Sequence, residues 1–442
     1  MHRGFAVVVF AAAPVLAASP VFASAFELRE SSAGAMGTAY AGAAAGDSTP
    51  GDLFYNPAAL AGVEDWDMSV NGAGLLLSSS GNFAGQTSLG TPLSGPSHPH
   101  DFIGSAFLPS AAFRYRLSDR WAVGLTVSTP FGETTNYPSD WVGRYYAQTT
   151  NLITLNVTPV VSWQATPDLT LAGGMQFQYA HAYLSEAIDF GTLGAINGFP
   201  VTPGGDDGAA RIKGASWDYG YVLGAQWKAL PQLTLGVSYR SGIDQNLKGH
   251  ESFVYDTGGV AATLHALTGA FTNSGASADL PLPATINAGA RYDVDPQWSV
   301  MAGLEYTDWG RFNQIVLQSN NPANPADLLD TNWHGTWFGS LGVEYRPDSQ
   351  WAFRAGTGYD NAATPDANVV PRIPDAQRYW LSTGVGYRWD QHTDINFAVS
   401  HLFTPSSRID QNPLQPGNAL RGSLQGVSNT DATLVALELV YR

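Results

Sequence analysis

The chain has 442 residues, a formal charge of −16, only 13% charged residues and three lysines, Lys213, Lys228 and Lys248. That balance argues against a nucleic-acid partner, since phosphate binding needs a basic patch, and so few charges are unusual for a soluble protein of this size. Cysteine is absent, which excludes a disulfide framework, a cysteine-ligated metal and a thiol nucleophile.

His2 and Arg3 precede an apolar run from Phe5 to Ala18, and Ala23, Ser24 and Ala25 supply small residues for cleavage. Residues 1–25 therefore read as a secretory signal peptide, with the mature chain starting at Phe26 and a competing cut after Ala23. Beyond this run no segment reaches the ~20 apolar residues of a membrane-spanning helix. The exported chain is then either soluble or a β-barrel. Residues 26–60 are rich in Ala and Gly and do not alternate. Within them Asn56-Pro57 reads as a helix start, with Asn as N-cap and Pro at the first helical position.

From residue 66 the pattern changes. Strands are expected over roughly 66–78, 109–117, 120–130, 150–165, 168–190, 211–228, 232–256, 278–294, 297–317, 333–346, 350–360, 377–389, 393–403 and 429–441. Trp121, Val123, Leu125 and Val127 alternate with Ala122, Gly124, Thr126 and Ser128, and period two sends the two sets to opposite faces. Tight turns rich in Pro and Asp fall at 118–120, 166–168, 229–231, 295–297, 347–349 and 390–392. Long loops make the other connections. Fourteen strands with short turns at one rim and long loops at the other form the pattern of an outer-membrane barrel. Trp121, Trp163, Trp227, Trp298, Trp351 and Trp389 flank the tight turns, as an aromatic girdle at headgroup level would. A soluble β-sandwich would not place a short turn after every second strand so regularly. The expected fold class is all-β: a fourteen-stranded antiparallel transmembrane barrel over 63–442, in the outer membrane of a Gram-negative cell. Residues 26–62 form a small helical hatch, or plug, inside its lumen.

One strand carries a flaw. In Ser128-Thr129-Pro130-Phe131-Gly132, the proline removes a ladder donor and the glycine permits a kink or bulge. The segment is either a gap in the barrel wall or the place where the strand ends and a loop begins. Two long loops carry apolar helical spacing: Leu193, Ile196 and Phe199 in 190–210, and Val260, Leu264, Leu267 and Phe271 in 257–277. An exposed apolar patch marks a binding site, unless the two loops cover one another. His98, His100 and Asp101 lack a partner cluster, so no metal site is expected. No Gly-x-Ser-x-Gly elbow, phosphate loop or His-Glu-x-x-His is present, so neither an enzyme nor a cofactor is expected.

The two breaks in the pattern carry a family resemblance. Residues 26–60, with the Asn56-Pro57-Ala58 triplet, resemble the N-terminal hatch of the FadL family of outer-membrane transporters for hydrophobic compounds. STPFG at 128–132, WVGRYYA at 141–147, LNVTPVVSW at 155–163, LPLPATINAGARY at 280–292 and PRIPDAQRYWLSTGVGYRW at 371–389 resemble it too. The likeness implies passive uptake of long-chain fatty acids, or of aromatic hydrocarbons by the same route, and no cofactor. It implies an extracellular capture groove at Leu193, Ile196, Phe199, Leu264, Leu267 and Phe271. It implies an inner pocket at Phe26 and Leu28, a hatch anchored at Asn56, Pro57 and Ala58, and lateral release at Ser128, Thr129, Pro130, Phe131 and Gly132. A carboxylate head would call for a cation, with Arg144, His181, Lys213 and Arg378 as candidates. If all of these are paired internally, an uncharged hydrocarbon is the better ligand. The partners implied are a hydrophobic small molecule and outer-membrane lipid, with a monomer as the family default. Barrels of this kind commonly end in an aromatic residue; this chain ends in Tyr441-Arg442. A surface adhesin or receptor barrel is the alternative of another class.

Overall fold

The computed structural model describes residues 25–46, 49–325 and 327–442. Apart from Ala25, the expected signal peptide lies outside the described residues. Fourteen staves close into one antiparallel barrel. In chain order the first seven are Trp66–Gln86, Ala106–Arg116, Trp121–Ser128 continued by Gly132–Asn136, Thr149–Thr166, Leu169–Asp189, Asp207–Leu230, and Leu233–Arg240 continued by Ile243–Val254. The next seven are Ser274–Leu282 with Thr285–Asp293, Trp298–Thr307 with Gln314–Ser319, Thr336–Tyr345, Trp351–Asp360, Arg378–Arg388, Thr393–Phe403 with Ser407–Gln411, and Ser423–Tyr441. The first and last staves seal the cylinder from Met68 opposite Tyr441 to Gln86 opposite Ser423. Closure removes the open strand edges that lipid cannot solvate.

The wall is apolar outside and polar inside. Leu76, Phe107, Tyr219, Leu341 and Leu381 are exposed, whereas Asn71, Asn156, Gln245, Glu344, Ser400 and Glu438 are buried facing inward. Near the short turns, aromatic pairs cross neighbouring staves, Trp298 with Tyr345 at 4.5 Å and Trp351 with Tyr387 at 4.6 Å. Three staves differ from the sequence reading at their long-loop ends. The first extends beyond residue 78 to Gln86, the second begins at Ala106, and the last begins at Ser423. In the first, the added end opens on Ser78-Ser79-Ser80-Gly81-Asn82, a run with no large apolar residue to mark either face. The seventh, eighth and ninth staves, read as continuous, each break midway, at 241–242, 283–284 and 308–313.

Residues 25–46 and 49–63 run across the barrel interior. A helical turn Ala33–Met36 and three 3-10 turns, Ala43–Ala45, Pro50–Phe54 and Pro57–Leu60, are almost entirely buried. The wall grips this segment from many directions. Glu438 on the last stave accepts hydrogen bonds from the Ser32 hydroxyl at 3.0 Å and the Gly34 amide at 3.1 Å. Asn71 on the first stave donates to the Glu30 carbonyl at 2.9 Å, Ser110 on the second to the Ser31 carbonyl at 3.1 Å, and Arg240 on the seventh to the Phe54 carbonyl at 3.0 Å. Two wall glycines permit the approach. A Cβ on Gly236 would overlap the Ala44 carbonyl oxygen, and one on Gly356 would overlap the Thr38 carbonyl.

Gly236→Val and Gly356→Val should therefore push the segment off the wall while the ladder still closes. Single-channel recording should show a higher steady conductance for either variant than for the natural protein, with unchanged circular dichroism.

Candidate functional site

The flaw at the third stave is real hydrogen-bond geometry. Its first half pairs with the second stave from Arg116 opposite Ala122 to Ala111 opposite Val127. The next link between these two neighbours is the isolated bridge of Ile103 to Thr135. On the other side, the fourth stave meets Ser128 at Asn156 and Gly132 at Ile153. Thr129, Pro130 and Phe131 thus face only Thr154 and Leu155, which is a bulge, and Pro130 offers no amide donor to repair it. Past the bulge the stave bends inward, so that Glu133, Thr134 and Thr135 are all buried in succession.

Residues 26–28 of the same chain fill this place. The Leu28 amide donates to the Pro130 carbonyl at 2.8 Å, and the Gly132 amide donates to the Phe26 carbonyl at 2.9 Å. Glu27 and Phe131 form the antiparallel bridge between them. Phe26 then lies in an aromatic cage, with ring centroids 4.8 Å from Trp309, 5.3 Å from Phe312, 5.7 Å from Trp333 and 6.1 Å from Phe131.

Phe26 and Phe312 border a cavity of about 130 Å³ whose wall joins aliphatic side chains such as Leu152, Leu184, Leu247 and Leu280 to polar ones such as Glu133, Asn151 and Asn418. A second cavity of about 310 Å³ lies toward the long loops and includes Leu193, Phe271 and Leu420. Ile212, Leu317, Asp327 and Arg421 belong to both walls, so the cavities are neighbours. At this neck Arg421 contacts Asp327 at 2.5 Å and Glu186 at 3.2 Å, and Arg372 contacts Glu186 at 2.6 Å. Two guanidinium groups and two carboxylates neutralise one another there.

Several expected site residues stand elsewhere. His181 shares the outward face of the fifth stave with Met175 and Phe177, which are exposed; period two puts it on the lipid side. Lys213 does border the inner cavity, but it is exposed and has the outward register of the sixth stave, with Trp217 and Tyr219. Arg144 is buried in the loop after the third stave, contacting Asp207 at 2.5 Å and donating to the Ser94 and Gly204 carbonyls. It clamps loops together and lines neither cavity. Arg378 donates to Asp375 at 2.9 Å and lies 3.8 Å from Asp360, outside both cavities. Leu28 is buried beside Phe26 but borders neither cavity.

The two apolar loop faces do cover each other. Helices Phe190–Ile196 and Val260–Thr268 bury Phe190, Val260, Ala261 and Phe271 between them, with Leu193 and Leu264 packed on that cluster. Ile196 and Leu267 are exposed and Phe199 is half-buried, and none of the three borders the cavity. Only Leu193 and Phe271 of the expected groove residues reach it. The Asn56 side chain accepts from the Ala58 amide at 2.9 Å and donates to the Ala44 carbonyl at 2.6 Å and the Ala225 carbonyl at 3.0 Å. It caps its turn and ties that turn to the sixth stave, with Pro57 and Ala58 buried alongside. Sequence reasoning missed the cage residues Trp309, Phe312 and Trp333 and the neck residues Glu186, Arg372 and Arg421. The signal for the cage was the break in alternation at Trp309–Arg311.

One buried cluster of charge inside the lumen centres on Arg29. It contacts Glu305 at 2.6 Å, Asp360 at 3.2 Å and Glu27 at 3.5 Å, and stacks 4.5 Å from the Phe338 ring centre. Burial, reinforced by Glu305, pushes the Glu27 carboxyl up to about 8, and Arg29 does not offset it. Burial likewise pushes Glu30 up to about 7. A raised acid binds its proton more tightly in the docked segment than in a released one. Docking is thus favoured fully below the ordinary glutamate range and weakens as pH rises through about 8. Protease access to the segment should increase between pH 6 and pH 9, and Glu27→Gln should flatten that rise.

The comparisons with known proteins agree with this geometry. The family described as outer membrane protein transport protein (OMPP1/FadL/TodX) matches residues 14–442. A long-chain fatty acid transport protein of Escherichia coli K12 is 27% identical over 429 residues, covering 92% of this chain and 93% of that protein. A putative outer membrane protein of Neisseria meningitidis serogroup B is 27% identical, covering 96% of each chain. Among solved structures, a Pseudomonas aeruginosa FadL homologue superposes with a TM-score of 0.87 at 25% identity, covering 94% of this chain and 99% of that one. The Pseudomonas putida toluene transporter TodX shares the fold at a TM-score of 0.65 and 17% identity, covering 90% and 94%. With its closed barrel and its match over nearly the whole length, the chain belongs to the OMPP1/FadL/TodX family of outer-membrane transport proteins.

Proposed function

We propose that the protein is a passive uptake channel for hydrophobic small molecules, with long-chain fatty acids as the first substrate class. The ligand enters the outer cavity at Leu193 and Phe271, passes the Arg421 neck and reaches the inner cavity. There it displaces Phe26, which withdraws residues 26–28 from the kink, and it leaves sideways between the second and third staves. The observation that carries this reading is the pairing of Phe26 and Leu28 with Gly132 and Pro130, where the wall lacks its own ladder. In this reading residues 26–62 act as a hatch, and the Asn56-Pro57-Ala58 turn holds the part that stays.

The energetics favour a sideways exit. Each methylene taken out of water gains ~0.8 kcal/mol, so a sixteen-carbon tail prefers a dry route by roughly 12 kcal/mol. An aqueous channel ending in the periplasm would return that energy. An opening to the bilayer keeps the tail in apolar surroundings throughout. The relatives that bear the name long-chain fatty acid transport protein support the acid as substrate. The uncharged hydrocarbon is the second reading. It is favoured by Arg144 and Arg378, each already held by an aspartate, and by the outward register of His181 and Lys213.

A strain lacking this protein should grow poorly on a long-chain fatty acid, and the natural gene should restore growth. Phe271→Asp should lower uptake about tenfold at limiting ligand, because a charge in the outer cavity is costly. Asn56→Ala should impair uptake while the barrel still assembles. Restored growth on an aromatic hydrocarbon alone would select the second reading, and restored growth on neither would refute both.

A further inference from the structure

The outer face of the wall carries a basic patch that the proposed uptake route does not use. Two of the chain's three lysines, Lys213 and Lys248, stand on neighbouring staves, the sixth and the seventh. The ladder sets Lys213 opposite His250, Ala215 opposite Lys248 and Arg211 opposite Ser252. Period two turns Arg211, Lys213, Lys248 and His250 outward, and all four are exposed, whereas Leu247 and Glu251 of the other register are buried. Lys213 and Lys248 are diagonal neighbours across the ladder, close enough for their long side chains to meet one anion.

These cations stay unpaired in a chain that pairs most of its others. Arg144, Arg291, Arg354, Arg372 and Arg421 are each held by a carboxylate. Among the described residues, Arg211, Lys213 and Lys248 form no ion pair. Asp279 of the adjoining stave lies opposite Asn246, one diagonal step from Lys248, and leaves the patch with an excess of positive charge. The height of the patch is as telling as its charge. Staves tilted by ~40° climb about 2.5 Å per residue, so an apolar band ~25 Å tall spans about ten residues. Counted from Trp227 beside the tight turn, that band ends at Trp217, whose ring lies 5.4 Å from Tyr179. Lys213 stands roughly 10 Å higher, at the level of lipid headgroups.

We propose that this patch binds a phosphorylated lipid of the outer leaflet, with a headgroup phosphate on Arg211, Lys213 and Lys248 and the acyl chains on the aromatic surface below. Charge complementarity carries the assignment: a chain of charge −16 gathers unpaired cations on one lipid-facing ladder, directly above Trp217 and Tyr219. A phosphate supplies the charge-assisted acceptors that these side chains lack within the protein. The proposal needs only the outer-membrane barrel and does not depend on the uptake reading.

The test is equilibrium binding of lipid A to the detergent-solubilised full protein, with its phosphates and after their enzymatic removal. The natural protein should prefer the phosphorylated form, and the preference should shrink as salt is raised. Lys213→Gln with Lys248→Gln should weaken that form about thirtyfold and leave the dephosphorylated form unchanged. Arg211→Glu should weaken it by a similar factor, which keeps the test available if the double variant does not assemble. Lys228→Gln, at the opposite rim, should have no effect. Equal binding of the two lipids by the natural protein would overturn the proposal, as would an equal loss in Lys228→Gln. Competition by inorganic phosphate as strong as that by the lipid would overturn the assignment to a lipid.

Discussion

The structure turns on one short antiparallel pairing, between residues 26–28 and residues 130–132. A barrel in lipid must satisfy every backbone donor and acceptor within its own wall, because the hydrocarbon supplies no partners. Pro130 and the bulge around it break that rule on the second-stave side. Repair comes from residues 26–28 of the same chain. The gap in the wall and the docking of residues 26–28 therefore share one set of hydrogen bonds, and anything that disturbs one disturbs the other.

That interaction is light compared with what surrounds it. The pairing consists of two backbone hydrogen bonds, each with a net value of ~1 kcal/mol. Its neighbour Phe26 adds aromatic contacts, which an apolar ligand can replace in kind. The rest of the segment is held by Arg29 on Glu305 and Asp360, by Glu438 on Ser32 and Gly34, and by Asn56 on Ala225. Removing one partner of such buried polar contacts costs several kcal/mol. On the proposed uptake route, this difference in grip is what lets residues 26–28 leave while the rest of the segment stays in place.

Much of the barrel was legible because lipid imposes period two on whatever it touches. The stretch Trp121 to Ser128 showed both faces of its stave in eight letters. The outer end of the first stave was not legible, since Ser78 to Asn82 include no large apolar residue to mark a face. The same periodicity held information that the site reading left unused. His181 has the parity of Met175 and Phe177 and so belongs to the lipid side. The partners of the cations could not be read at all. Arg144 meets Asp207, and Arg421 meets Glu186, across distances in sequence that no local pattern encodes. The cover over the expected groove residues was hidden for a related reason. Helical spacing showed that Val260, Leu264 and Phe271 share a face, but not that the helix beginning at Phe190 covers it.

The absence of natural cysteine allows the central claim to be tested directly. Glu27 and Phe131 face each other as a non-hydrogen-bonded antiparallel pair, a geometry in which two cysteines lie within disulfide range. The measurement is uptake of a long-chain fatty acid by cells carrying Glu27→Cys with Phe131→Cys, before and after reduction. If the leading residues must leave the kink, the oxidised protein is closed and reduction restores uptake. Equal uptake in the oxidised and reduced states would contradict the account.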